Sequence, residues 1–282
     1  MYYGEVMQNT VDVDGARIHY QVAGDGPVLL VGQSGEGDAD RTVDLADHLS
    51  GHFTVVTWDR RGLSRSVCDD PGAPVSIRQH AADAAAVVRA VTDRPAAMLG
   101  LSLGAAIGLH LLTSDPQIVA DLVAHEPIAL GFLDPADAAR AGRELGEVIA
   151  THRGAGWRAA AGKVAAVLGI DPRDQDTEPG VTDFPFDDRR VANFEFFLGR
   201  DLPAVLRDDL VPGDLPAGAR IIPAVGETSP RDGFDYLAAV RLAEHRRVRA
   251  EHFPGGHNGN LTHPRAFAKQ VVEVLRTGCS GR

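Results

Sequence analysis

Residues 100–104 read Gly100-Leu101-Ser102-Leu103-Gly104, with an apolar run before them (Ala96 to Gly100) and a helix-forming run after (Leu103 to Leu112). G-x-S-x-G alone is a weak signal in a chain with 31 glycines. A strand on one side and a helix on the other narrow it to a sharp strand-to-helix turn carrying an exposed nucleophile. Such a turn leaves no room for side chains two residues either side of the serine, which explains both glycines. It aims the Ser102 hydroxyl at a cleft and places the backbone N–H of Leu103, at a helix start, where it can stabilise a developing oxyanion.

A serine alcohol is a poor nucleophile at neutral pH unless a base takes its proton, and the base needs an acid to fix its tautomer. Of 11 histidines, His257 is the best placed. It lies in Gly255-Gly256-His257-Asn258-Gly259, directly after the last predicted strand, and the glycines let that loop bend toward a neighbouring strand end. His125, at a strand end beside Glu126, His252 within a strand, and His263 in the next helix turn read as packed or surface residues. No pair has H-E-x-x-H or similar spacing, so no metal site is expected.

The elements that must position these groups alternate. Asn9–Asp14 and Ala16–Ala23 form a predicted hairpin around Asp14-Gly15. Pro27–Val31 is a continuous apolar run, as in a strand buried on both faces, and a glycine-rich loop (Gly32 to Gly37) follows. Ala39–Leu49 is a predicted helix, Phe53–Trp58 a strand, and Asp59 to Ser66 a charged turn. Ser76 and Gln79 open a helix reaching about Thr92, and Ile118–Ala124 is a strand. This alternation implies a mostly parallel sheet with helices on both faces, an α/β fold.

The pattern changes after Pro127. Asp134–Leu168 and Arg189–Leu206 read as helical, with a Pro/Asp-rich loop from Asp171 to Asp188 between them and no strand signal. This reads as a helical cap, residues 131–216, inserted into a core of 1–130 and 217–282. Trp157, Phe194, Phe196 and Phe197 are its expected interior. Deleting roughly Asp134 to Pro216 is expected to leave a foldable core. A strand (Arg220–Val225), a helix (Asp232–His245), a strand (Arg247–Phe253) and a last helix opened by Pro264 complete the order.

Net charge of -11 argues against nucleic acid or an anionic membrane as partner. Cys68 and Cys279, the two cysteines, do not suggest a disulfide framework. The first ten residues lack a signal-peptide pattern and no apolar run approaches a membrane span, so a cytoplasmic location is expected. Oligomeric state is not legible.

In combination, the Gly32 loop, the Asp59-Arg60-Arg61-Gly62 turn, the Gly100–Gly104 elbow, the helical cap and His257 near the end resemble the α/β-hydrolase superfamily over nearly the whole chain. The resemblance implies an oxyanion hole made by the backbone N–H of Gln33 or Ser34 together with that of Leu103. Family members usually carry His-Gly in that first loop, where this chain has Val31-Gly32; an amide donor does not depend on the preceding side chain. The usual acid position, two or three residues after the strand ending at Gly226, holds Thr228 and Ser229, which cannot carry a negative charge. Some haloalkane dehalogenases of the superfamily place the acid after the strand that follows the elbow helix, where this chain has Glu126. Glu126 is therefore the expected acid, with Asp232 and Glu227 as alternatives.

Dehalogenases and epoxide hydrolases of the fold attack with an aspartate at the elbow, whereas Ser102 suits acyl transfer. The resemblance implies a serine-dependent acyl hydrolase acting, without a cofactor, on a small or medium hydrophobic carboxylic ester, thioester or lactone. Two alternatives remain: a tailoring enzyme (acyltransferase, C–C hydrolase or cyclase), and a non-catalytic ligand-binding homologue.

Overall fold

The computed structural model describes residues 6–171 and 175–277. The hairpin forms as the sequence predicts: β1 (Met7–Val13) pairs antiparallel with β2 (Ala16–Ala23), with Gly15 at φ +70° in the turn. The near-continuous apolar runs become the central strands: β3 (Val28–Gly32), β4 (Thr54–Trp58), β6 (Ala96–Leu101), β7 (Val119–His125) and β8 (Arg220–Gly226). A two-residue β5 (Val67–Cys68) pairs with β2, and β9 (Glu251–Phe253) closes the far edge. The sheet runs β1-β2-β4-β3-β6-β7-β8-β9, parallel from β4 onward.

Register aligns the strand ends. Gly32 pairs with Gly100, and His125 pairs with both Leu101 and Ala224. The residues that follow β3, β6, β7 and β8 therefore emerge along one C-terminal edge, where doubly wound sheets place their ligands.

The helices are α1 (Val43–Ser50), α2 (Ile77–Val91) and α3 (Leu103–Ser114), then α4 (Pro135–Ala155), α5 (Trp157–Val167), α6 (Asp188–Phe196) and α7 (Leu202–Leu206). The chain ends with α8 (Phe234–Arg246), α9 (Gly259–Thr262) and α10 (Pro264–Thr277). Ser76 caps α2 by accepting from the Gln79 N–H, as its spacing predicts. Several boundaries differ from the sequence expectation, three of them with a local cause. Residues 39–42 are a tight 3₁₀ turn ahead of α1, capped by Asp38. The helical run 134–168 is broken at Gly156, whose φ of +80° cannot continue a helix. The strand expected from Arg247 begins only at Glu251, because Arg247 is the left-handed residue that ends α8.

Two apolar clusters sandwich the sheet. One holds α1 and α10 against Leu29, Leu99 and Val123. The other holds α2 and α3 and continues without a break into α4–α7, so that Leu145, Phe194 and Leu198 share a core with Leu103 and Ile107. Buried polar pairs cross the same junction: Asp201 meets Arg60 at 3.1 Å and His80 at 2.9 Å, and His110 meets Asp208 at 2.7 Å. Among the described residues no helix is long and apolar enough to cross a membrane. Cys68 is a free, half-buried thiol; Cys279 lies outside the described residues.

Candidate active site

Ser102 sits between β6 and α3 with φ +56° and ψ -111°, a backbone conformation costing on the order of 1–3 kcal/mol for a residue with a side chain. Its N–H donates to the His125 carbonyl at 2.9 Å, anchoring the turn to β7. The flanking glycines are sterically required. A Cβ on Gly104 would lie 2.1 Å from the Gly32 carbonyl oxygen, and one on Gly100 would lie 2.5 Å from the Ala105 Cα. Leu103 is the first residue of α3, so its N–H has no partner within the helix.

Glu126 is a second strained position, at φ +43°. Its N–H donates to the Ala224 carbonyl, and the positive φ turns the side chain back across the strand ends. There Oε1 accepts from the Gly226 N–H at 2.8 Å, and Oε2 lies 2.9 Å from His257 Nδ1. His257 is buried, with no hydrogen-bond partner for Nε2 among the described residues, and it lines a cavity of about 1080 Å³ together with Ser102 and Ser34.

A third group, Asp235, escapes the sequence reading. It is the second residue of α8, buried, with Oδ2 2.6 Å from the same His257 Nδ1. An aspartate in a helix's first turn ordinarily reads as a cap residue, and this one lies beyond the loop where the family's acid is sought. The two alternatives drawn from sequence do not reach the histidine. Asp232 and Glu227 are both exposed, and the Asp232 carbonyl is taken by Arg140. Each precedes α8, whose first turn is what swings a carboxylate inward.

The charges on this cluster are strongly coupled. Burial disfavours the His257 cation, but the charges of Asp235 and Glu126 outweigh it and raise the imidazole above its ordinary 6.5. Burial likewise works against the Glu126 carboxylate, yet the hydrogen bond from His257 prevails and Glu126 is lowered. Glu126, Asp235 and His257 bring donor atoms within 4.8 Å of one another, a set that could in principle hold a cation. Two atoms on one small divalent ion are separated by about 3 Å or more, so the 2.6 Å contact fits a shared proton better than a shared metal.

The remaining histidines are elsewhere. His125 is fully buried, edge-on to Phe253 and Phe267, and burial pushes it down to about 4, leaving it neutral. His263 Nδ1 pairs with Thr262 Oγ1 at 2.9 Å, and His252 is exposed. On the far side of the elbow, Gln33 is buried with its amide on Thr42. Arg60 donates to the Ser34 carbonyl at 2.9 Å and to that of Gly35, pinning the loop after β3.

A profile of the alpha/beta hydrolase fold matches residues 27–170, from the start of β3 past the serine elbow and through α5. The chain belongs to the α/β-hydrolase family. This α/β hydrolase is 30% identical to the uncharacterized hydrolase YraK of Bacillus subtilis over 275 residues, 96% of each chain. It is 32% identical to the human serine hydrolase BPHL over 117 residues, 40% of each chain. Its fold also superposes on a hydrolase from Pseudomonas aeruginosa with a TM-score of 0.69, at 22% identity, covering 95% of this chain and 98% of that one.

Proposed function

We propose that this α/β hydrolase is a serine-dependent acyl hydrolase cleaving small or medium hydrophobic carboxylic esters, thioesters or lactones through an acyl-enzyme. The observation that carries the reading is the cavity shared by Ser102 and His257. One imidazole nitrogen has no partner there among the described residues, and the other is held by buried carboxylates. A ligand-binding role needs neither the strained serine nor a histidine so oriented.

In this reading Ser102 Oγ attacks the acyl carbon while His257 Nε2 takes its proton. The carbonyl oxygen becomes an oxyanion facing the N–H of Leu103 and that of Gln33 or Ser34. Arg60 supports this by donating to the Ser34 and Gly35 carbonyls, which fixes the loop that carries those amides. The tetrahedral intermediate collapses and His257 returns the proton to the departing alcohol or thiol. Water, deprotonated by His257, then attacks the acyl-enzyme, releasing the acid and free Ser102. Glu126 and Asp235 hold the imidazole's tautomer and balance its charge. Residues 131–216 act as the cap, their Phe194 and Phe197 lining the apolar part of the cavity. The relative named a serine hydrolase supports the nucleophile type.

Steady-state hydrolysis of a panel of aryl esters, thioesters and lactones tests the reading. Turnover by the wild type that Ser102→Ala abolishes is expected; equal turnover by both would refute it.

A further inference from the structure

The wall of the cavity that holds the nucleophile also carries a cation without a full partner. Glu36 is occupied by Arg190, which grips it through two bonds, Nε to Oε2 at 3.0 Å and Nη2 to Oε1 at 2.7 Å. Arg190 also donates to the Phe184 carbonyl. Arg41 is left with the same Glu36 oxygen at 3.5 Å, its one side-chain hydrogen bond among the described residues. Yet the Arg41 side chain is only 13% exposed, and it lines the cavity that holds Ser102 and His257. Phe184 packs beneath its guanidinium, 4.7 Å from ring centroid to carbon. A guanidinium does not shed its proton, so the charge persists wherever the fold puts it.

The balance of nearby charge leaves room for an anion. Burial lowers Arg41 and the Arg190 charge lowers it further, against the raising effect of Glu36 and Asp38. Of the other acids on the cavity wall, Asp171 and Asp183 are exposed at its rim. Glu178 is spent on the backbone N–H groups of Arg265 and Ala266 at the start of α10. In a chain of net charge -11, a largely buried, under-partnered arginine in the reaction cavity is a specific provision.

We propose that Arg41 recognises an anionic group on the substrate, so that the preferred ester, thioester or lactone carries a free carboxylate at the end away from the scissile bond. The carboxylate forms a charge-assisted, two-pronged contact with the guanidinium packed on Phe184. Glu36 and Arg190 keep Arg41 in place without neutralising it. This rests on the acyl-hydrolase reading above.

The test compares matched esters that differ only in the distal charge: 4-nitrophenyl hemiesters of four- to eight-carbon diacids against their methyl-capped diesters, and 4-acetoxybenzoate against its methyl ester. The wild type is expected to favour the anionic member of at least one pair by about ten- to hundredfold in kcat/KM. Arg41→Gln is expected to bring that ratio close to one, and Arg41→Lys to retain part of it. As a readout independent of turnover, glutarate should slow fluorophosphonate labelling of the wild type and not of Arg41→Gln. Hydrolysis of all pairs with no preference for the anion, or a preference unchanged in Arg41→Gln, overturns the proposal while sparing the acyl-hydrolase reading. Absence of both turnover and fluorophosphonate adduct in folded wild type overturns that reading and the proposal together.

Discussion

Asp235 Oδ2 lies 2.6 Å from His257 Nδ1, closer than Glu126 Oε2 at 2.9 Å, so one imidazole N–H faces two buried carboxylates from different elements. Glu126 comes from the end of β7 and Asp235 from the first turn of α8. Either can orient the ring, and together they hold more negative charge than one imidazolium balances.

The two acids should therefore be partly redundant. Glu126→Gln and Asp235→Asn are each expected to lower kcat by about tenfold, and the double variant by about 10²–10⁴, the range of a lost triad acid. Steady-state kinetics on folded variants checks this. A double variant no worse than Glu126→Gln alone would remove Asp235 from the account.

The pH profile should carry the signature of the crowded imidazole. His257 is raised above 6.5, with Asp235 the largest raising influence, so the basic form that the proposed mechanism needs emerges above the ordinary imidazole range. The rising limb of kcat/KM is expected above 6.5 and should move down in Asp235→Asn. The same raised value stabilises the fold fully below 6.5, and that contribution is lost as pH rises through the raised value. Melting temperatures of wild type and His257→Gln should accordingly converge at alkaline pH. A wild-type limb at or below 6.5 would contradict the charge arrangement.

Gly104→Ala is expected to destabilise the protein by about 3 kcal/mol or more, since its Cβ would sit 2.1 Å from the Gly32 carbonyl oxygen and only backbone movement relieves that. Urea denaturation gives the value. A loss under 1 kcal/mol would mean that the elbow packs less tightly against β3 than described.

Asp201 lies between Arg60 and His80, all three buried. Asp201→Ala leaves the Arg60 cation without its carboxylate and should cost about 3–5 kcal/mol, again by urea denaturation. The same contacts revise the expectation for removing the cap. A chain lacking residues 134–216 loses Asp201, Asp208 and the cap's share of the common apolar cluster at once, so it should not fold.

Much of the fold was legible because it rests on local rules. A parallel core strand is an apolar run, the elbow is glycine spacing, and a helix start is Ser76 three residues before Gln79. The place of His257 on the cavity that also holds Ser102 was legible because a glycine-flanked loop after the last strand can bend toward a neighbouring strand end. How tightly residues 131–216 pack onto the core was not legible, because a helical stretch looks the same whether its apolar face covers itself or a neighbour. Asp235 was missed because its role depends on where α8 begins relative to β8, a tertiary fact with no local pattern. Arg41 raised no signal: only the structure shows Glu36 committed to Arg190, 154 residues away in sequence.

The central claim is an activated Ser102, and intact mass after exposure to a fluorophosphonate probe tests it most directly. A single adduct on the wild type, absent from Ser102→Ala, is the predicted result. No adduct on folded wild type, or the same adduct on Ser102→Ala, would contradict the account.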